Sequence, residues 1–338
     1  MREFVRRMPK AELHVHLEGT LEPEMMLAFA RRNGIGAAEE SPEAVRARYN
    51  FTNLQSFLDL YYRGASTLVT EDDFHELTRE YLRRARRDNI RHVETFFDPQ
   101  THTARGIAFD TVVRGIHRAL EEAEREDGIT SRLIMCFLRD RSAGEAMETY
   151  ERAMPYRGMI AGVGLDSGEV GNPPVKFARV FARARAEGFH AVAHSGEEGP
   201  PEYIWQAIDL LRVERIDHGV RALEDPGLVK RLVADRIPLT VCPLSNVRLR
   251  VFSSIADHNL KKLLNAGLMV TINSDDPAYF GGYLTDNYVA AAEGLGLARR
   301  EIARMAANSF KASFLPEERK RLLLAELEEY VMCSAAIG

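Results

Sequence analysis

His194-Ser195-Gly196-Glu197 closes an apolar run that begins at His190, and it presents one imidazole and one carboxylate three positions apart. A metal needs three or four ligands, so a single imidazole calls for partners elsewhere in the chain. Three other apolar runs end in suitable groups: Leu13-His14-Val15-His16, Ile216-Asp217-His218 and Ile272-Asn273-Ser274-Asp275-Asp276. Four strand-like segments therefore stop at ligand or acid-base residues.

Outward from His194 the same grammar repeats. The run Ile160 to Leu165 precedes it and ends at Asp166-Ser167-Gly168-Glu169; Arg215 to His218, Ile237 to Cys242 and Leu268 to Asn273 follow. Nearer the N-terminus stand Ala11 to His16, His92-Val93-Glu94-Thr95-Phe96-Phe97 before Asp98-Pro99, and Leu133 to Leu138. Between most of these, apolar residues recur at spacings of three and four, as in Val112, Val113, Ile116 and Leu120 or Tyr203, Ile204, Ala207, Ile208 and Leu211, which is the signature of amphipathic helices. Strands alternating with helices predict a parallel sheet. Eight such units close best as a (β/α)8 TIM barrel, in which reactive residues gather at the C-terminal ends of the strands. All four clusters sit there. Two His two positions apart on a strand also point to one side, so His14 and His16 can face one ion together.

Two additions to the barrel are expected. A helical insertion after the first strand, at about 50–89, carries Leu54, Phe57, Leu58, Tyr61 and Tyr62, then Phe74, Leu77, Tyr81 and Leu82, and reads as helical throughout. It pads the core and could cover a site. The segment from Leu284 to Ala336 is also helical, with Leu295, Ile302, Phe310 and Phe314 facing the barrel. The expectation is an α/β chain of one domain, 1–338.

Composition narrows the function classes. Of 338 residues 45% are apolar and 28% charged, enough to bury a large core, and the net charge of −5 leaves no electrostatic footprint for nucleic acid. The dense arginines around Arg83 to Arg91 read as a solvated helix face. Cys136, Cys242 and Cys333 are odd in number and far apart, which indicates neither a disulfide framework nor a thiolate zinc site. No apolar run is long enough to span a membrane, and residues 1–10 lack a secretory core, so a cytoplasmic location is expected. The oligomeric state, homo-oligomer included, is left open.

Three imidazoles and a carboxylate suit zinc, or less specifically another divalent first-row cation. If His14, His16, His194 and Asp275 hold one ion per chain, a position remains for water, whose pKa falls towards ~7. Asp275 could then accept the water's proton, His218 could orient the water or stabilise the developing charge, and Glu197 is free to act as the acid. Each residue alone has an ordinary reading. Glu197 passes for a solvated loop carboxylate, Asp217-His218 for a satisfied pair, and Asp275-Asp276-Pro277 for turn chemistry. Their joint position at four strand ends is what argues against chance.

The segments Leu13-His14-Val15-His16-Leu17-Glu18-Gly19, His194-Ser195-Gly196-Glu197, Asp217-His218-Gly219 and Ser274-Asp275-Asp276-Pro277 resemble, in order, the motifs of the adenosine and adenine deaminases within the amidohydrolase superfamily. The resemblance implies that His14, His16, His194 and Asp275 bind zinc, Glu197 protonates the purine at N1, His218 assists the attacking water, and Asp276 holds N7. Ser195 stands where Ala is more usual. The position of Glu18 is usually Asp in the adenosine deaminases, where it contacts ribose, and a longer side chain would intrude on the sugar. The stretches Phe97 to His102, Gly199 to Ile204 and Asp276 to Tyr283 are also more similar to the adenine deaminase branch. The implied reaction is adenine to hypoxanthine and ammonia in purine salvage, with a small purine base as partner. Related branches act on N6-substituted adenines such as isopentenyl adenine, or on adenosine, with the same catalytic set. Asp166, Ser167, Gly168 and Glu169, with Phe57, Tyr61 and Tyr62, are further candidate substrate contacts. A catalytically inactive purine or metal binder would require loss of a catalytic group, and Glu197, His218 and Asp275 are all present.

Overall fold

The computed structural model describes residues 1–36 and 40–336. Eight parallel strands run in sequence order: β1 Lys10–His16, β2 Ile90–Phe97, β3 Thr130–Leu138, β4 Gly162–Asp166, β5 His190–Ser195, β6 Arg215–His218, β7 Leu239–Val241 and β8 Val270–Ile272. Each pairs with the next, and the sheet closes on itself just beyond β8. His16 N donates to Asp275 O at 3.0 Å and Asp275 N donates to His14 O at 3.1 Å, so closure is made by the residues of two suspected motifs. Helices fill the connections, as expected for a (β/α)8 TIM barrel.

The floor of the barrel is filled. Phe96, Ile134, Cys136 and Val192 meet inside it, and Phe314 packs against them from below. Its ring stacks on His190 at 3.9 Å and its amide donates to Glu94. Beside it Arg215 Nη1 donates to Glu94 Oε2 at 2.5 Å, both side chains fully buried. With this end sealed, a ligand enters from the C-terminal ends of the strands.

The block expected to be helical from 51 to 89 is two helices, Leu54–Ala65 and Glu71–Arg87. The apolar spacing continues across the break, but the hydroxyl-rich link does not favour helix. Ser66 and Thr67 hydroxyls donate back to the carbonyls of Arg63 and Gly64, and Thr70 caps the second helix by accepting from Asp73 N. The second helix carries the dense arginines, where Arg79 and Arg86 pair with Glu126 and Asp127 on the helix Phe109–Asp127. At the C-terminus Leu284–Leu295, Arg299–Ala312 and Glu317–Ala336 form helices, with Ile302 and Phe310 buried against the barrel. Among the described residues no helix is long and apolar enough to cross a membrane.

Candidate active site

β1, β5, β6 and the turn after β8 bring the predicted residues to one place. His14 Nε2 lies 3.0 Å and His16 Nε2 3.4 Å from Asp275 Oδ1, and the Nε2 atoms of His16 and His194 are 3.2 Å apart. His218 Nε2 is 3.5 Å from Glu197 Oε2 and 3.7 Å from Asp275 Oδ2. All six side chains are buried. Three residues of this rim, Ser167, His218 and Asp275, have positive φ (71°, 65° and 64°). Non-glycine residues in the left-handed region store strain that clusters at functional sites.

The surrounding groups fix how these rings present their nitrogens. Thr240 Oγ1 donates to Asp217 Oδ1 at 2.8 Å and therefore accepts from His14 Nδ1, 2.9 Å away. His194 Nδ1 donates to Leu165 O at 3.0 Å. Both rings are left with a bare Nε2 facing the cluster, and His14 Nε2 is buried without a hydrogen-bond partner. Nitrogen lone pairs converging on a carboxylate, each ring held from behind, are what a divalent cation requires. The residues present fit a metal. Ligand atoms of His14, His194, His218 and Asp275 all lie within 4.8 Å of one another, so distance alone admits His218 to the set.

Electrostatics separate the carboxyls. Burial, reinforced by the Asp275 charge, pushes Glu197 well above the usual range, and the same two causes push Asp276 up. Burial alone would also raise Asp275, yet the facing His14 and His218 rings hold it well below. Two carboxyls driven up beside one driven down is the pattern of an acid next to a base. Glu197 Oε1 and Asp276 Oδ1 are buried and unpartnered.

Loops aim these groups. Glu169 accepts four backbone N–H bonds, from Gly196 at 2.7 Å on Oε1 and from Glu197, Glu198 and Gly199 at 2.8 to 3.0 Å on Oε2. Expected as a substrate contact, it instead holds the loop that carries Glu197. Arg139 Nη1 donates to His194 O at 2.6 Å, bracing the end of β5. Asp276 packs so closely on Gly19 that a Cβ there would fall 2.0 Å from its Oδ1.

The pocket above the cluster is lined by His16, His194, Glu197, His218, Asp275 and Asp276 below and by Leu54, Phe57, Leu58, Tyr61 and Tyr62 of the inserted helix above. Tyr61 donates to Asp98 Oδ2 at 3.1 Å, and Tyr62 and Ser167 hydroxyls meet at 2.9 Å. Asp166 and Ser167 line the pocket as expected, whereas Gly168 does not. Glu18 also stands back from it. Its Oε1 is taken by His102 Nε2 at 2.8 Å and Asp98 N at 3.2 Å, so it supports Asp98, while its Oε2 is buried without a partner. Asp98 is the lining carboxyl missing from the expected set. It follows β2 directly, and the strand-end rule that found the other groups would have nominated it. Asp98, Asp166 and His16 offer ligand atoms within 4.8 Å of one another; burial raises both carboxyls, Asp166 to about 7. Ser195 Oγ, the departure noted in the sequence, is buried and unpartnered.

Comparison with known proteins agrees with this geometry. Residues 9–330 match the family model described as adenosine deaminase. An adenine deaminase of Chlorobium phaeobacteroides (strain BS1) is 57% identical over 330 residues, covering 98% of this chain and 98% of that one. The crystal structure of adenine deaminase from Arthrobacter aurescens superposes with a TM-score of 0.95 at 51% identity, covering 96% of this chain and 99% of that one. An amidohydrolase from Burkhoderia ambifaria, solved with bound Zn, superposes with a TM-score of 0.91 at 28% identity over 99% of this chain and 94% of its own. With its strand-end imidazoles and carboxyls and a family match spanning nearly the whole barrel, this chain belongs to the adenosine deaminase family.

Proposed function

We propose that the chain deaminates adenine hydrolytically, water replacing the exocyclic amine at C6 to give hypoxanthine and ammonia, a step of purine salvage. The observation that carries this reading is a buried carboxyl, Glu197, driven towards its protonated form within 3.5 Å of His218 and beside the ionised Asp275. Attack at C6 builds negative charge on the purine ring, and a proton delivered to N1 neutralises it. Glu197, with Oε1 unpartnered, supplies that proton. Asp275 accepts the proton of the attacking water at Oδ2 and passes it to the exocyclic amine, so that the C6–N6 bond breaks with ammonia as the leaving group while the C6 hydroxyl gives its proton back to Glu197 and becomes the carbonyl. Asp276, as a protonated carboxyl, donates to N7.

His14, His16, His194 and Asp275 would hold one zinc ion. When bound, such an ion lowers the pKa of water towards ~7 and so makes a nucleophile at neutral pH. Phe57, Tyr61 and Tyr62 exclude bulk water from above, and Asp166, Ser167 and Asp98 bound the base laterally. Preference for the free base is set by the Glu18 and Asp98 pair, which occupies the side where a sugar would project. Three free cysteines suit a reducing, cytoplasmic setting. One catalytic domain embraces the barrel, the inserted helices and the C-terminal helices.

The test is ammonia release from zinc-loaded protein with adenine and adenosine, and amine release with isopentenyl adenine, at equal concentration. The expected order places adenine first by at least about tenfold in kcat/KM, a difference of about 1.4 kcal/mol. A preference for either other substrate would overturn the pocket assignment and leave the deamination chemistry standing.

A further inference from the structure

Behind His218, on the side away from the pocket, two buried polar residues stand in line. Asn246 lies in the helix Pro243–Arg248, and His258 follows the short turn Ile255–Asp257. Neither lines the pocket. The line has an unambiguous end. Leu260 N donates to His258 Nδ1 at 3.0 Å, and a backbone amide can only donate. The neutral ring therefore carries its hydrogen on Nε2, which faces Asn246 Oδ1 at 3.1 Å. That contact orients the amide, turning Nδ2 towards His218 Nδ1 at 3.5 Å. An amide NH2 also only donates, so Nδ1 of His218 accepts and its hydrogen resides on Nε2.

Both rings are shut away from water, His258 at 3% and His218 at 1% exposure, and burial lowers His258 to about 4.

We propose that Asn246 and His258 are positioning residues that lock His218 as its Nε2–H tautomer, making it a hydrogen-bond donor towards the active site. A protonated Nε2 cannot ligate a cation, so His218 stays outside the metal set despite its distance. It also cannot take the proton of an attacking water, which leaves Asp275 as the acceptor. The consequence for turnover rests on the deaminase reading; the tautomer does not.

The tautomer is read directly by nitrogen NMR of 15N-histidine-labelled, zinc-loaded protein without substrate, the His218 signal being assigned by its loss in His218→Gln. The expected spectrum has a protonated Nε2 and a bare Nδ1. Asn246→Asp keeps the shape but replaces the donor with an acceptor, so it should move the hydrogen to Nδ1. Its kcat should then fall on the order of 10- to 100-fold with KM within about twofold and zinc content unchanged, the scale seen for groups that orient catalytic imidazoles. His258→Ala should loosen the amide and lower kcat more mildly, and His258→Gln, which can still donate to Asn246, should restore most of it. A bare Nε2 in the wild-type protein, or an Asn246→Asp variant with unchanged tautomer and kcat, overturns the proposal. The expected spectrum in a protein inactive on every adenine tested would uphold the tautomer and reject the substrate reading.

Discussion

Glu197 and Asp275 show how two carboxyls of similar intrinsic acidity are given opposite tasks. Both are buried, and burial by itself would protonate both. Asp275 faces His14 and His218 and is held well below the usual carboxylate range, whereas Glu197 faces Asp275 and is pushed well above it. Glu197→Gln keeps the shape and removes the transferable proton. Its kcat should fall on the order of 100- to 10,000-fold while elemental analysis finds the metal retained, the range expected for loss of general acid catalysis. Full turnover in that variant would remove Glu197 from its role. Glu18→Asp tests the neighbouring wall. A shorter carboxylate cannot reach both His102 and Asp98 N, so Asp98 should relax and adenosine should gain in kcat/KM relative to adenine; an unchanged ratio would place the discrimination elsewhere.

At the scale of elements, the loops after β1 and β8 are fitted closely to one another. The turn after β1 brings Gly19 against Asp276, where an added Cβ would meet both Oδ1 at 2.0 Å and the Cα at 2.8 Å. Because the second of these is backbone, the clash cannot be relieved by rotating a side chain. Gly19→Ala should therefore displace Asp276 and raise KM for adenine on the order of tenfold, since ångström-scale misplacement of a binding group is costly. Steady-state kinetics with unaltered KM would show that the turn yields instead. The inserted helix Leu54–Ala65 closes over the rim through contacts at both ends: Leu54 N donates to Glu198 Oε1 after β5 at 3.3 Å, and Tyr61 and Tyr62 reach Asp98 after β2 and Ser167 after β4.

The whole barrel is held by a charged floor and a ligand-rich rim. Burial would raise Glu94, but the Arg215 charge and the His92 ring bring it down to about 2. A carboxyl depressed in the folded state stabilises above its unfolded pKa of about 4.3 and loses that contribution as pH falls towards the folded value, roughly 3 kcal/mol in all. Glu94→Gln should destabilise the protein at neutral pH, since Arg215 is left buried without its partner, and should flatten the pH dependence of unfolding between about 4 and 2. An unchanged acid slope would mean the pair contributes nothing. The rim joins β1 to β5 and to the seam beyond β8, so a bound cation crosslinks the closure. Chelation should abolish activity and lower Tm, with zinc restoring both; at a free concentration a hundred times Kd the ion contributes about 2.7 kcal/mol.

The sequence by itself determined the barrel and its chemistry, because both are written in local signals. Alternating strand and helix periodicity gave eight units, and His14, His16, His194, His218 and Asp275 each follow an apolar run, so the rule that strand ends converge was enough to assemble them. Tertiary structure decided what depends on contacts distant in the chain. Glu169 is drawn to the loop of Glu197 and Glu18 Oε1 to His102 by partners 27 to 84 residues away, whereas the break at Ser66–Thr70 is made by hydroxyl bonds spanning only three residues, a local signal that apolar periodicity does not register. Asp98 entered the pocket because Tyr61 and Glu18 hold it there. The line from Leu260 through His258 and Asn246 to His218 has no sequence signature at all, since the direction of a hydrogen bond is a property of which atoms meet, and only the fold decides that.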